Sequence, residues 1–278
     1  MKRLLVAVSM LAVSAISAAA ADMAPAYTKA PAMPAPVASW GGFYVGVNGG
    51  GAWGRTDTSL VTTNGTVPFG FFDTVNIPGV NAAGNNRINT SGGLAGGQIG
   101  YIWQGGRAIL GLEAAFDWTN LNGSQTRTQP YFDNPNIFSV YQNPRADWLF
   151  TFLGRLGYDM GAWYPYVTGG LAVSDLKYGF NYTDTFFAPG CPCAASFSQT
   201  KIGAAVGAGL AWKLGSNWTL RGEYLYIAFE DLDATSTLKG GPIDPGTASF
   251  AHTAKFSENI ARLALDYQFG GGPVVARY

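Results

Sequence analysis

Apolar and polar side chains alternate along the stretch "NWTLRGEYLYIAFEDL" at positions 217–232. Its even positions are mostly aromatic or aliphatic, whereas its odd positions include Arg221 and Glu223. Because successive side chains of a strand point to opposite faces, this period of two predicts a strand with one apolar face and one charge-bearing face. The same alternation recurs in seven further stretches, which are "GGFYVGVNGGGAWGR", "LAGGQIGYIW", "RAILGLEAAFDWTN", "RADWLFTFLGRLGYD", "WYPYVTGGLAVSDLKYGF", "SQTKIGAAVGAGLAWKL" and "KFSENIARLALDYQF".

The connections between these eight predicted strands alternate in length. Short joins fall at 104–106, 160–162 and 215–217, and long polar segments rich in turn-forming residues fall at 56–90, 121–144, 179–197 and 231–254. Short turns at one end and long loops at the other are typical of outer-membrane meanders, with the short turns facing the periplasm. The pattern therefore predicts an all-β protein, an eight-stranded antiparallel up-and-down transmembrane β-barrel. No helical period is visible after the N-terminal segment.

Which face points inward distinguishes a membrane barrel from a soluble, lipocalin-like ligand-binding barrel. The charge-bearing positions are rich in glycine and alanine, which suits the narrow interior of eight strands. Aromatic residues near the strand ends of the apolar face indicate membrane-interface girdles; they are Trp53, Trp103, Trp118, Trp148, Trp218 and Tyr267. The membrane barrel is favoured, and a soluble periplasmic barrel with the opposite orientation is the alternative.

The membrane reading places charges of both signs in the barrel lumen. The predicted lumen set is Glu113, Asp117, Arg155, Arg221, Glu223, Arg262 and Asp266. Opposite charges can pair there, so a structural ion-pair network is the first interpretation. A gate or an ion path is the second, because intramembrane charges often have a function.

The N-terminus "MKRLLVAVSMLAVSAISAAAADM" has a basic start, a short apolar run and small residues before Asp22. These features predict a signal peptide over 1–21, and the apolar run is shorter than a membrane anchor needs. The Pro- and Ala-rich residues 22–39 predict a periplasmic linker, and the barrel is predicted over 40–278. Charged residues make up only 12% of the chain and the formal net charge is zero, so capture of nucleic acid is not expected.

Several segments together resemble the small outer-membrane immunogenic proteins of alphaproteobacteria, which have an opacity-type, OmpA-like barrel. The matching segments are "WGGFYVGVNGG", "GGQIGYIWQ", "LGLEAAFDW", "WLFTFLGRLGY", "PYVTGGLA", "WTLRGEYLYI" and "LDYQFGGGPVVARY". The resemblance implies an abundant surface-exposed antigen of the porin family. The assembly machinery would read a terminal aromatic residue, either Phe269 or Tyr278.

Few residues suggest chemistry. Cys191 and Cys193 have a spacing that favours a local loop disulfide over a metal or redox site, since no companion ligands are present. The single histidine, His252, is assigned to the last long loop and is a poor candidate for a haem or metal ligand. No enzyme activity and no cofactor are expected.

The sequence thus predicts an envelope-structural protein that contacts outer-membrane lipids, lipopolysaccharide and an unknown surface ligand through its loops. A small porin allowing limited diffusion is the functional alternative. Eight strands argue against it, because open aqueous channels need roughly 16 strands.

Overall fold

A computed structural model describes residues 39–66, 69–185, 193–240 and 245–269. The predicted signal peptide, nearly all of the linker, Cys191 and Tyr278 lie outside these residues. The strands are β1 (Gly42–Asn64), β2 (Asn86–Gly105), β3 (Ala108–Asn122), β4 (Gln125–Pro130), β5 (Ile137–Tyr158), β6 (Trp163–Asp184), β7 (Cys193–Lys213), β8 (Trp218–Phe229), β9 (Leu232–Lys239) and β10 (Thr247–Gln268). One helix, α1, spans Ile77–Gly84. Within these ranges no helix is both long and apolar enough to cross a membrane.

Eight of these strands close into an antiparallel ring, which confirms the predicted fold. The ring order is β1, β2, β3, β5, β6, β7, β8 and β10, and β10 pairs with β1 from Tyr44↔Gln268 to Asn64↔Ala248. Among the described residues, strand β4 pairs only with β5, and β9 only with β10. The short joins β2–β3, β5–β6 and β7–β8 lie at one end, the turn end. The opposite end is called the loop end.

The strands extend much further than the sequence predicts. The loop prediction is therefore wrong for most residues of the four segments that were expected to be long loops. Strand β1 continues to Asn64, β6 to Asp184, and β10 begins at Thr247. In these extensions many inward positions are apolar, as at Phe138 and Phe250, others are polar, as at Thr58 and Gln142, and many outward positions are polar. The alternation persists, but the outward asparagines, glycines and threonines resemble turn formers.

Helix α1, which the sequence analysis missed, closes the open edge of β1 at the loop end. Strand β2 pairs with β1 only as far as Thr58↔Asn86, so β1 continues without it. The side-chain oxygens of Asn85 and Asn81 accept the backbone N–H groups of Leu60 and Thr62, each at 2.8 Å. The helix has only eight residues, which is too short to show a helical period.

The pairing of β5 is irregular at Ala146–Leu149, where the register with both neighbouring strands shifts. An unbroken alternation along "RADWLFTFLGRLGYD" predicts that Asp147 points into the lumen with Arg155, and the register shift makes this prediction wrong. Asp147 instead lies outside and contacts Lys177 at 2.5 Å. Trp148 is only partly exposed there. An extra residue in one strand exchanges the two faces beyond it, and a period-two pattern does not register such an insertion.

Candidate functional site

The structure brings all seven predicted lumen charges together in one buried network. Glu113 on β3 contacts three guanidinium groups, those of Arg155 (2.9 Å), Arg221 (2.6 Å) and Arg262 (3.2 Å). Arg262 also contacts Glu223 at 2.6 Å. These five side chains, from four strands of the ring, are each only 1–2% exposed.

The two aspartates complete the network on either side. Asp117 contacts Arg262 at 3.2 Å, and Asp266 accepts the Nε–H of Arg221 at 2.6 Å. Gln98 donates to the second oxygen of Asp266 at 2.7 Å. Three arginines therefore face four carboxylates. Such groups are tolerated inside a barrel only when they are paired and hydrogen-bonded.

Two tyrosines support the network from opposite walls, and sequence reasoning gave them no role. The hydroxyl of Tyr44 donates to Glu113 at 2.6 Å, and that of Tyr166 donates to Glu223 at 2.8 Å. The guanidinium of Arg155 lies over the Tyr166 ring, 4.3 Å from its centre, which is cation–π geometry. Both tyrosines occupy inward positions by parity, but their partners depend on strand register, which the sequence alone does not give.

Packed layers lie on both sides of this network along the barrel axis. Toward the turn end, an aromatic layer contains Trp40, Tyr44, Ile102, Ile109, Tyr164 and Tyr166. The indole N–H of Trp40 donates to Asp159 at 3.0 Å. Toward the loop end, an apolar layer contains Leu94, Leu153, Leu225, Ile227 and Ile260. The interior of the described barrel is thus filled by side chains at several levels.

His252 lies inside the barrel extension on β10 and not in a loop, so its predicted location is wrong. It is 2% exposed, its Nε2 is 2.8 Å from the Ser236 hydroxyl, and Phe180 packs against its ring. Burial lowers the pKa of His252 to about 4. Cys193 begins β7 and its sulfur lies 3.5 Å from the Thr237 carbonyl oxygen. The disulfide with Cys191 stays a prediction.

The outer face of the ring is apolar. Trp53, Trp118 and Trp148 lie toward the loop end, and Trp103, Trp218 and Tyr267 lie toward the turn end. Aliphatic side chains between these two levels are largely exposed, including Val47, Leu156, Val167, Val206 and Leu263. A soluble ligand-binding barrel requires the reverse arrangement of faces, so that alternative is wrong.

Comparisons with known proteins agree with this arrangement. A family model described as "Outer membrane protein beta-barrel domain" matches residues 7–256. The 31 kDa outer-membrane immunogenic protein of Brucella melitensis is 31% identical over 264 residues, covering 94% of this chain and 97% of that protein. The 22 kDa outer membrane protein of Rhizobium leguminosarum is 30% identical over 176 residues, covering 63% and 66%.

Among solved structures, the outer membrane protease OmpT from Escherichia coli is similar with a TM-score of 0.43 and 8% identity, covering 82% of this chain and 97% of that one. This likeness is too remote to carry a protease activity over to the present chain.

Proposed function

Because the chain belongs to the outer membrane protein β-barrel family, we propose that it is a non-enzymatic envelope protein with a closed lumen and a surface-exposed loop end. One observation carries the closed lumen: the paired side chains of Glu113, Arg155, Arg221, Glu223 and Arg262 are each 1–2% exposed. Removing one partner from a buried ion pair typically costs about 3–5 kcal/mol, so a passing solute would have to break costly contacts. The network acts as a structural plug rather than a gate.

The layers above and below the network support the same proposal. An ion that passed it would next meet the apolar layer of Leu153, Leu225 and Ile227, each at most 1% exposed. Toward the turn end it would meet Trp40, which is 1% exposed and held by Asp159 and Gln104. Tightly packed side chains leave no room for water around a passing ion, and a desolvated charge is expensive.

Conductance in planar lipid bilayers tests the closed lumen against the porin alternative. Purified protein is inserted in molar KCl beside an open porin as a positive control. We expect no stable conductance steps from this protein, whereas steady steps that scale with inserted protein would establish the porin function. A folding check by heat-modifiable migration on gels ensures that inserted barrels, rather than unfolded chains, are measured.

The proposed orientation places the loop end outside the cell and the N-terminus in the periplasm. Ser39 and Trp40 enter at the turn end, where Lys213 and Gln268 bind their carbonyl oxygens, which supports a periplasmic N-terminus. At the loop end Phe132 is 84% exposed, which supports contact with a surface partner there. Outer-membrane lipids, lipopolysaccharide and the assembly machinery, acting on β10, are the other proposed partners.

A further inference from the structure

Strands β1 and β2 contain glycines of two physically different kinds. At the inward Gly46 and Gly50, a Cβ atom would come within 2.1 Å of Asp266 and of the Ala261 carbonyl oxygen respectively. At the outward Gly49, Gly51, Gly93 and Gly97, the nearest atoms would lie 3.7, 4.0, 3.8 and 3.5 Å away, which is ordinary contact. Packing within the barrel therefore requires the inward glycines but does not explain the outward ones.

The four outward glycines, here called the glycine floor, form one patch on the outer face. Gly51 pairs with Gly93, Gly49 with Ala95, and Val47 with Gly97. Large apolar side chains surround the patch: Trp53 toward the loop end, Phe116 and Trp118 on β3, and Leu263 on β10. Trp118 is 68% exposed. The result is a shallow apolar surface in the loop-end half of the membrane-spanning wall.

Cations lie directly beyond Trp53 on the same strands. Arg55 is the next outward residue of β1, and one step further Lys255, Asp57 and Arg87 lie in register across β10, β1 and β2. The side chains of Arg87 and Lys255 are each 65% exposed. Arg55, Arg87 and Lys255 are here called the basic cluster.

The basic cluster retains capacity to bind an anion. Arg87 contacts Asp57 at 2.7 Å and Lys255 contacts Asp231 at 3.1 Å, while Arg55 forms no ion pair within the part of the chain that the structure describes. Three cations against two carboxylates leave an excess of positive charge beside Trp53. Guanidinium groups bind phosphate through paired hydrogen bonds, and exposed ion pairs are weak enough to exchange partners.

We infer that the outer face of β10, β1 and β2 binds one phosphorylated glycolipid of the lipid A class from the outer leaflet. Its phosphates bind the basic cluster, and its acyl chains lie on the glycine floor between Trp53, Trp118 and Leu263. The inference rests on the proposed surface-exposed loop end, which puts this half of the wall in the outer leaflet. The basic cluster lies nearer the loop end and the glycine floor nearer the middle of the membrane. A lipid in the outer leaflet has its headgroup and its acyl chains at the same two levels.

A second copy of the chain fits this surface less well. A two-fold contact through the glycine floor would bring the basic clusters of the two barrels close together. Like charges facing each other across an interface disfavour association. A phosphorylated lipid has the complementary charge.

Titration of purified bisphosphorylated hexa-acyl lipid A into the full chain in neutral detergent micelles, followed by native mass spectrometry, tests the headgroup contacts. The variant R55Q/R87Q/K255Q changes exposed positions only, and R145Q, an outward arginine on β5, is the matched control. We expect at least ten-fold weaker binding by the triple variant and unchanged binding by R145Q. Equal affinity of the triple variant and the wild type would overturn the inference.

The glycine floor is tested with G51L/G93L against the control G154L/G169L, whose outward glycines pair with each other on β5 and β6. We expect at least ten-fold weaker lipid A binding for G51L/G93L only. Unchanged binding by G51L/G93L would contradict the acyl-chain contact. Gel migration of the folded barrel verifies each variant. These outcomes are separable from failure of the proposed function, because micelle binding does not depend on conductance or on which end faces the cell exterior.

Discussion

The ring of Tyr166 lies over Gly209 of the neighbouring strand, in the space that a side chain at position 209 would occupy. A Cβ atom there would come within 2.4 Å of the Tyr166 hydroxyl oxygen and 2.6 Å of the Gly222 carbonyl oxygen. The same hydroxyl continues one strand further and donates to Glu223 at 2.8 Å. The absent side chain therefore lets the tyrosine cross β7 and reach the buried carboxylate on β8.

An equivalent arrangement occurs on the opposite wall. A Cβ atom at Gly100 would come within 2.4 Å of the Tyr44 hydroxyl oxygen, and that hydroxyl donates to Glu113 at 2.6 Å. In the ring order, β1, β2 and β3 lie four places from β6, β7 and β8. The buried network is thus held by two similar tyrosine–glycine–glutamate sets facing each other across the lumen.

Replacing Gly209 with alanine tests this packing. We expect G209A to destabilise the barrel by about 1–3 kcal/mol, because the tyrosine must leave its position or the strands must separate. Urea unfolding in lipid vesicles measures the change. The matched control is G154A, whose Cβ would meet its nearest atom at 3.6 Å. An equal loss in both variants would contradict the proposal that Tyr166 requires a glycine at position 209.

We expect that neutralising Glu113 lowers the free energy of unfolding more than most other single substitutions in the lumen. The variant E113Q leaves three buried arginines with one carboxylate fewer, and we expect a loss of about 3–5 kcal/mol in unfolding free energy. The exposed pair Asp57–Arg87, with side chains 52% and 65% exposed, is the control. For D57N we expect a loss of about 0–1 kcal/mol. Similar losses for E113Q and D57N would show that the network contributes little to stability.

His252 makes the extension of the barrel sensitive to acid. Its folded-state pKa is about 4, lowered by burial, whereas a histidine in the unfolded chain has its ordinary pKa of 6.5. The unfolded state therefore binds an extra proton as the pH falls from 6.5 to 4, and stability is lost over that window. We expect a loss of about 3 kcal/mol between pH 7 and pH 4 from this residue.

The control for this pH effect is H252Q, which keeps a polar partner for Ser236 but has no titrating group. Urea unfolding of the wild type and of H252Q at a series of pH values isolates the contribution of the histidine from that of the carboxylates. Parallel pH profiles for the two proteins would contradict the prediction.

Labelling of single cysteines in intact cells tests the orientation. In a background without Cys191 and Cys193, N134C at the loop end and G215C at the turn end are treated with a large, membrane-impermeant polyethylene-glycol maleimide. We expect N134C to react in intact cells and G215C to react only after the outer membrane is broken, because the two positions lie at opposite ends of the barrel. The reverse result would invert the proposed orientation.

Sequence reasoning captured the fold because period-two alternation and connection length are local properties of the chain. Arg221 and Glu223 could be assigned to the charge-bearing face of one strand by parity alone. Which charges meet, however, depends on register between strands distant in sequence, such as Arg262 on β10 and Asp117 on β3. That information is absent from any single segment.

The wrong predictions for Asp147 and His252 also have causes in the local sequence. Alternation predicts the wrong face for Asp147 because a register shift adds a residue that the alternation does not reveal. The sequence predicts a loop at His252 because its neighbours Ala251, Thr253 and Ala254 are weakly polar or small. A strand that extends beyond the membrane into water has many polar residues on its outer face. Its sequence therefore resembles that of a loop unless the packing of its inward side chains is known.

Asn81 of helix α1 and Asn85, which directly follows the helix, bind the β1 backbone, and this has a consequence for a crowded cell surface. A projecting strand with free N–H groups is a template on which another chain can add a strand. Asn81 and Asn85 occupy those donors at Thr62 and Leu60, using side chains that cannot propagate a sheet. Neighbouring barrels packed side by side can then touch at their rims without joining into a continuous ribbon.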